Sequence, residues 1–344
     1  MPAAVGDSAP RSEQALAAEP IRADDRDPRR DRGVAVVFLV VVLAAVARPL
    51  LDQLLDRPAV AQWATIFVAI AVQAMPFLVL GVSISAAIAA FVPPDFLPRA
   101  LPTRPVFAVP VAAAAGAALP GCECGSVPIA GRLVARGAPP AAALAFLLSA
   151  PAINPVVLVS TVVAFPGKPE VVGARFLASL LAAVVVGLIW SRSGADHLLD
   201  RVRRRLHEHE GSRLRVLFLT AQHDLLSAGG FLIIGAATAA TLQTVVPRSV
   251  LDGVAGVGVI AVLALGSLAV VMAICSEADA FVAASLTQFS LTARLAFMVV
   301  GPMVDVKLIA LQAGTFGRPF ALRFAPLTFV VALGSSVLVG WWLL

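Results

Sequence analysis

Cys122, Glu123 and Cys124 set two thiols around a carboxylate, between Gly121 and Gly125, in the run L-P-G-C-E-C-G-S-V-P from Leu119 to Pro128. Proline removes a backbone donor and glycine admits non-helical backbone, so the run predicts an irregular turn. On a regular helix Cys-x-Cys side chains point apart, whereas on a turn two sulfurs converge on one ion. Thiolates select soft ions such as Zn(II), Cu(I) or trivalent arsenic, and nearby helix N-termini help ionise them. Cys122 and Cys124 are therefore the candidate metal-type ligands. Ligand thiols lose protons on binding, and Glu123 or Glu277 is placed to pass those protons on. A plainer role is open to the same residues: cysteine is a common small hydrophobe, and Gly121 to Gly125 is a GxxxG spacing that packs helices.

The surroundings decide what such a turn means. Of 344 residues, 59% are hydrophobic and 14% charged, and the mean hydropathy is +0.92. Several apolar runs exceed the roughly 20 residues that cross a bilayer, so the chain is expected to be a polytopic all-α membrane protein. At membrane depth an irregular turn persists only where it is buried in protein or lines a watery cavity. The net charge of +5 is carried mainly by loop arginines, which points to topology rather than to nucleic acid. Three cysteines are too few for a disulfide scaffold and are read as reduced thiols.

Residues 1–33 are polar, rich in Pro, Asp and Arg, and are expected to form a disordered cytoplasmic tail. An extra N-terminal transmembrane helix is placed at 34–60, a first permease repeat at 61–190, a basic amphipathic cytoplasmic linker at 191–215 and a second repeat at 216–344. Segments 106–137 and 250–290 are expected to be re-entrant rather than fully crossing. In the linker, Leu198, Leu199, Val202 and Leu206 recur at helical spacing among seven arginines. His197, His207 and His209 lie there too, and solvated histidines are the simpler reading than a metal site.

Two blocks recur in the same order. Phe77 to Gly81 resembles Phe231 to Gly235 at an offset of 154. At an offset of 151, Cys124 pairs with Cys275, Leu144-Ala145-Phe146 with Leu295-Ala296-Phe297, Pro151 with Pro302, Asn154 with Asp305, and Phe165 with Phe316. This favours duplication. With three crossings and one broken-helix hairpin per half, 19 of the 26 basic residues fall on the cytoplasmic side, six outside, and Lys307 within the membrane. Three is odd, so the repeats are expected to be inverted, a common plan for secondary transporters.

Ionisable groups inside a membrane are costly and mark function by default. The candidates for substrate binding are Cys122, Glu123, Cys124, Cys275, Glu277, Asp279, Asn154 and Asp305. For Asn154 and Asp305, capping a Pro-broken helix and touching substrate are equally open. Lys307 is expected to pair with an acid, and His223 and Asp224 complete the set. No P-loop, dinucleotide-binding turn, HExxH or Ser/His/Asp set occurs, so no cofactor, ATP-driven pumping or hydrolytic activity is expected, and the chain is not read as an enzyme.

The run P-G-C-E-C-G-S-V-P-I-A-G-R-L-V-A-R-G-A-P-P-A-A-A-L-A-F-L-L-S-A-P-A-I-N-P, Pro120 to Pro155, resembles the signature of the predicted permease family that includes YraQ-like permeases and ArsP-like organoarsenical efflux permeases. The region near Ser276 to Pro302 is similar more loosely. Members often carry Cys-Ser-Cys-Gly at this turn, and here Glu123 replaces the small residue. The resemblance implies a multi-pass cell-membrane permease, organoarsenicals held by thiols, and a second membrane subunit; a homo-oligomer is the other partner expected, and the basic-residue count places the N-terminus in the cytoplasm. The combined expectation is a secondary transporter that moves a small thiophilic metal, metalloid or organoarsenical-like solute, by proton-coupled export. The rivals are a membrane thiol oxidoreductase using Cys-x-Cys and a non-transporting scaffold subunit.

Overall fold

The computed structural model describes residues 58–93, 102, 104–118, 122–199, 212–245 and 258–344. The tail, nearly all of the N-terminal helix, Gly121 of the GxxxG spacing, and Val202, Leu206, His207 and His209 of the linker lie outside the described residues. Every regular element described is a helix.

The order of elements repeats. A long helix α1, Pro58–Phe91, is followed by two short helices, α2, Pro105–Gly116, and α3, Glu123–Ala135. Next come a broken pair, α4, Pro140–Ile153, with α5, Pro155–Ala164, and a long helix α6, Pro169–Arg192. The second half gives long α7, Arg213–Val245; short α8, Gly258–Met272, and α9, Asp279–Ser285; broken α10, Leu291–Met303, with α11, Val306–Thr315; and long α12, Arg318–Leu343. Six stretches are long and apolar enough to cross a membrane: α1, α4 with α5, α6, α7, α10 with α11, and α12. At about 1.5 Å per residue the short helices reach only about 10 to 22 Å, less than the roughly 30 Å of a hydrocarbon core.

The two broken spans break alike. Asn154 ends α4 and caps α5, its side chain accepting from the Val157 amide at 3.0 Å and donating to the Ala150 carbonyl at 3.0 Å. Asp305 caps α11, its Oδ1 accepting from the Leu308 amide at 2.6 Å. Each cap supplies an acceptor to helical N–H groups that water cannot reach inside the bundle. Pro151 and Pro302 sit inside the segments that precede the two breaks.

Burial separates these spans from the rest. In their most apolar windows 78% and 83% of residues are buried, against 28% to 44% in the other four spans. Such all-round burial marks the broken spans as the centre and the others as a partly exposed shell. Helix α4 packs on α2, α3 and α6, and α10 on α8, α9 and α12, while α4 and α10 meet between the halves. Helix α1 packs on α7 and α3, and α3 in turn on α11. Close contact there depends on glycine: a Cβ on Gly81 would lie 2.3 Å from the Gly125 Cα, and one on Gly235 would lie 2.6 Å from the Lys307 Cα. Trp190 of α6 meets Phe320 and Phe324 of α12 edge-on, with ring centroids 5.2 and 5.6 Å apart.

Candidate functional site

The Cys-Glu-Cys run is part turn and part helix. Cys122 is the N-cap of α3 with extended backbone (φ −87°, ψ 175°), and Glu123 and Cys124 begin the helix. The irregular turn predicted for all three therefore ends at Cys122, and Pro128 lies inside α3 rather than bounding the turn. Convergence survives because an N-cap residue does not follow the helical spiral, so Cys122 escapes the divergence of residues two apart. One ligand atom from each of Cys122, Glu123 and Cys124 lies within 4.8 Å of the others, and all three residues are buried.

The second tip has a different build. Helix α8 stops at Met272, the chain passes through Ala273 at φ 46°, and residues 273–278 are non-helical before α9 begins at Asp279. A positive φ is strained for a residue with a Cβ, and the surrounding packing must hold it. The buried Cys275 thiol approaches that of Cys122 from the second half, and it stands outside the 4.8 Å group that Cys122, Glu123 and Cys124 form.

Lys307, at the start of α11, organises this convergence. Its Nζ lies 2.5 Å from Glu123 Oε1, donates to the Ala273 carbonyl at 2.8 Å, and lies 3.5 Å from Asp305 Oδ2 and 3.7 Å from Cys275 Sγ. Lys307, Glu123 and Asp305 are all fully buried, so the ammonium and the carboxylates neutralise one another where water is excluded. The expected acid partner of Lys307 is thus Glu123, reached across the halves, with Asp305 close by.

Asp279 belongs to a second cluster. Its Oδ2 accepts from Arg175 Nη2 at 2.7 Å, and the same guanidinium donates to the Ser276 carbonyl at 3.2 Å and to Thr161 Oγ1 at 2.8 Å. Arg175 is fully buried on α6, although the count of basic residues had left it outside the membrane. An arginine a few residues into the apolar run Val171 to Trp190 was the signal that could have revealed it. Glu277 is half-buried, and both of its carboxylate oxygens lack a hydrogen-bond partner among the described residues. Asn154 serves as the cap between α4 and α5.

A further ion pair joins Arg132 of α3 to Asp224 of α7 at 3.1 Å, and Ser85 of α1 donates to the same carboxylate oxygen at 2.9 Å. His223 beside it is exposed. A narrow, mostly apolar crevice between α1, α3 and α4, lined by Phe77, Ile84, Cys122, Gly125, Ile129 and Phe146, runs up to the first thiol.

The arrangement gathers soft and hard donor atoms around one buried cation. Thiols supply ligands, and carboxylates and ammonium balance charge within a protein-lined interior.

Comparison with known proteins agrees in class. A Bacillus subtilis (strain 168) protein named "UPF0718 protein YcgR" is 38% identical over 281 residues, covering 80% of this chain and 96% of the relative. A Streptococcus mutans protein named "Putative two-component membrane permease complex subunit" is 31% identical over 288 residues, 82% of this chain and 96% of the relative. No solved structure matches the chain. Residues 59–341 match the predicted permease family ArsP_1, a span that takes in both halves and every residue of the thiol cluster. With six helices able to cross a membrane and that match over most of its length, the chain belongs to this permease family and is a multi-pass membrane protein.

Proposed function

We propose that the chain is a secondary permease of the cell membrane that binds a thiophilic metal, metalloid or organometalloid solute at Cys122, Cys124 and Cys275 and exports it in exchange for protons. The observation that carries this reading is the buried group of Cys122, Glu123 and Cys124, with the buried Cys275 of the other half brought to it on the same Lys307 ammonium. Thiols in a dry, protein-lined interior favour soft, polarisable ions over hard ones. A site assembled from both halves opens to one side or the other as the halves move, and inverted repeats with a cytoplasmic N-terminus supply that geometry. Glu277, whose carboxylate oxygens have no hydrogen-bond partner among the described residues, takes up protons released on binding. Asp279 belongs to the second tip and acts on the substrate through its position. The name of the Streptococcus mutans relative supports a second membrane subunit as partner.

Inside-out vesicles test the reading directly. The native chain is expected to accumulate Cd(II) or a trivalent arsenical, and Cys122→Ser/Cys124→Ser protein, expressed at equal level, is expected to lose at least nine-tenths of that flux. Equal flux in the two would remove the thiols from the mechanism. A reversible Cys122–Cys124 disulfide found by thiol trapping, with no flux in the native chain, would instead support an oxidoreductase.

A further inference from the structure

Lys307 does more than neutralise an acid. Its ammonium touches a carboxylate, a main-chain carbonyl and a thiol, at 2.5, 2.8 and 3.7 Å, and these are the donor types that a soft cation would take from the same place. A second carboxylate oxygen, Asp305 Oδ2, stands 3.5 Å away, buried and without a hydrogen bond of its own. Asp305 Oδ1 is held by the Leu308 amide, so Oδ2 is fixed in place beside the lysine. Gly235 of α7 presses on the Lys307 backbone, where even a Cβ would come within 2.6 Å of its Cα. That close approach holds the main chain and leaves rotation of the long side chain as the available movement.

We infer that the Lys307 ammonium is a tethered stand-in for a cationic substrate, holding the cation position of the thiol site in the unloaded protein and swinging to Asp305 Oδ2 when a substrate cation takes its place. The inference rests on the proposed thiol site and narrows its substrate to cations. A carboxylate left unpaired in a membrane interior is strongly disfavoured, so an unloaded Glu123 without a counter-ion would resist passage through the apolar interior. The tethered ammonium removes that obstacle and lets the unloaded halves rearrange. Loading then exchanges one cation for another at Glu123, while Asp305 receives the displaced charge. An oxyanion would meet two carboxylates at the same place and be repelled.

Equilibrium binding of Cd(II) to purified full-length protein reads this inference. Lys307→Met and Lys307→Gln remove the competitor and are expected to bind Cd(II) at least tenfold more tightly than the native chain, while transporting it at less than a tenth of the native rate. Asp305→Asn keeps a capping side chain but removes the acceptor charge. It is expected to weaken Cd(II) binding severalfold with Lys307 present and to change it little in the Lys307→Met background. Equal or weaker binding in both lysine variants overturns the inference, and so does an Asp305→Asn effect that is the same with and without Lys307. If neither lysine variant folds, Asp305→Asn alone decides: weaker binding supports the swing and unchanged binding overturns it. Replacing all three cysteines with serine separates the levels. Binding that survives this replacement brings down the thiol site and the stand-in together, whereas thiol-dependent binding that Lys307→Met fails to tighten brings down the stand-in alone.

Discussion

The two tips, at Cys122 to Cys124 and at residues 273–278, occupy corresponding places in the order of helices, yet they are held differently. At the first tip, two thiols and a carboxylate sit at the start of α3, and a cation from the other half, Lys307, reaches in to meet them. At the second, one thiol lies in a non-helical stretch tied on two sides, by Lys307 at Ala273 and by Arg175 at Ser276 and Asp279. The first tip concentrates thiols and the second concentrates restraints. Each tip nevertheless sends an acid to a base of the opposite half, Glu123 to Lys307 and Asp279 to Arg175. Cross-half pairs of this kind tie the position of each tip to the arrangement of the other half.

The contrast breaks most readily at the second tip. Arg175→Ala strands the buried Asp279 carboxylate and is expected to cost about 3 to 5 kcal/mol, read as a lowered unfolding midpoint in detergent. The apolar pair Arg175→Met/Asp279→Leu is expected to recover most of that loss, because neither charge is then left alone. A mild effect of Arg175→Ala would mean that the second tip is not tied down and that the two tips differ less than their geometry says.

At the first tip, Gly81→Ala forces α1 away from α3 at Gly125 and is expected to cost about 1 to 3 kcal/mol. Because the displaced contact lies one residue from Cys124, alkylation of Cys122 and Cys124 by a maleimide should speed up in the same variant. Unchanged labelling would show that the ligand tip does not depend on α1. Asn154→Ala removes the cap between α4 and α5 and should cost about 1 kcal/mol, read as a similar fall in stability. Thr161→Val takes one acceptor from Arg175 while its other two partners remain, for about 1 kcal/mol or less. Gly173→Ala on α6 meets nothing within 4 Å, so it should be neutral or stabilise by up to about 1 kcal/mol through helix propensity. A large loss there would show that α6 is more tightly confined than it is.

Much of the plan was legible in the residues. Length and hydropathy alone require apolar helices in lipid, because backbone groups have no other partners there. The short runs on either side of Cys122 to Cys124 and the proline-flanked breaks at Asn154 and Asp305 were visible as interruptions of those helices. So was the recurrence of Cys124 at Cys275 and of Asn154 at Asp305, at one common offset. Intramembrane acids stood out against an apolar background. Arg175 did not, because one basic residue within reach of a helix end reads equally well as a surface group. Assigning Glu123 and Cys124 to the turn also failed, since glycine and proline mark where a helix is interrupted without fixing the residue at which it resumes.

The sequence by itself determined an apolar, helix-broken chain carrying thiols and acids at its interruptions, because periodicity, proline and charge act over a few neighbouring residues. Only the tertiary structure decided which of those groups meet. That Lys307 lies against Glu123 and Cys275, that Arg175 takes Asp279, and that Cys122 reaches Cys275 are contacts between residues 32 to 184 positions apart. Such pairings follow from how helices pack around Gly81 and Gly235 and from where a buried charge finds a partner, and neither is written in local sequence.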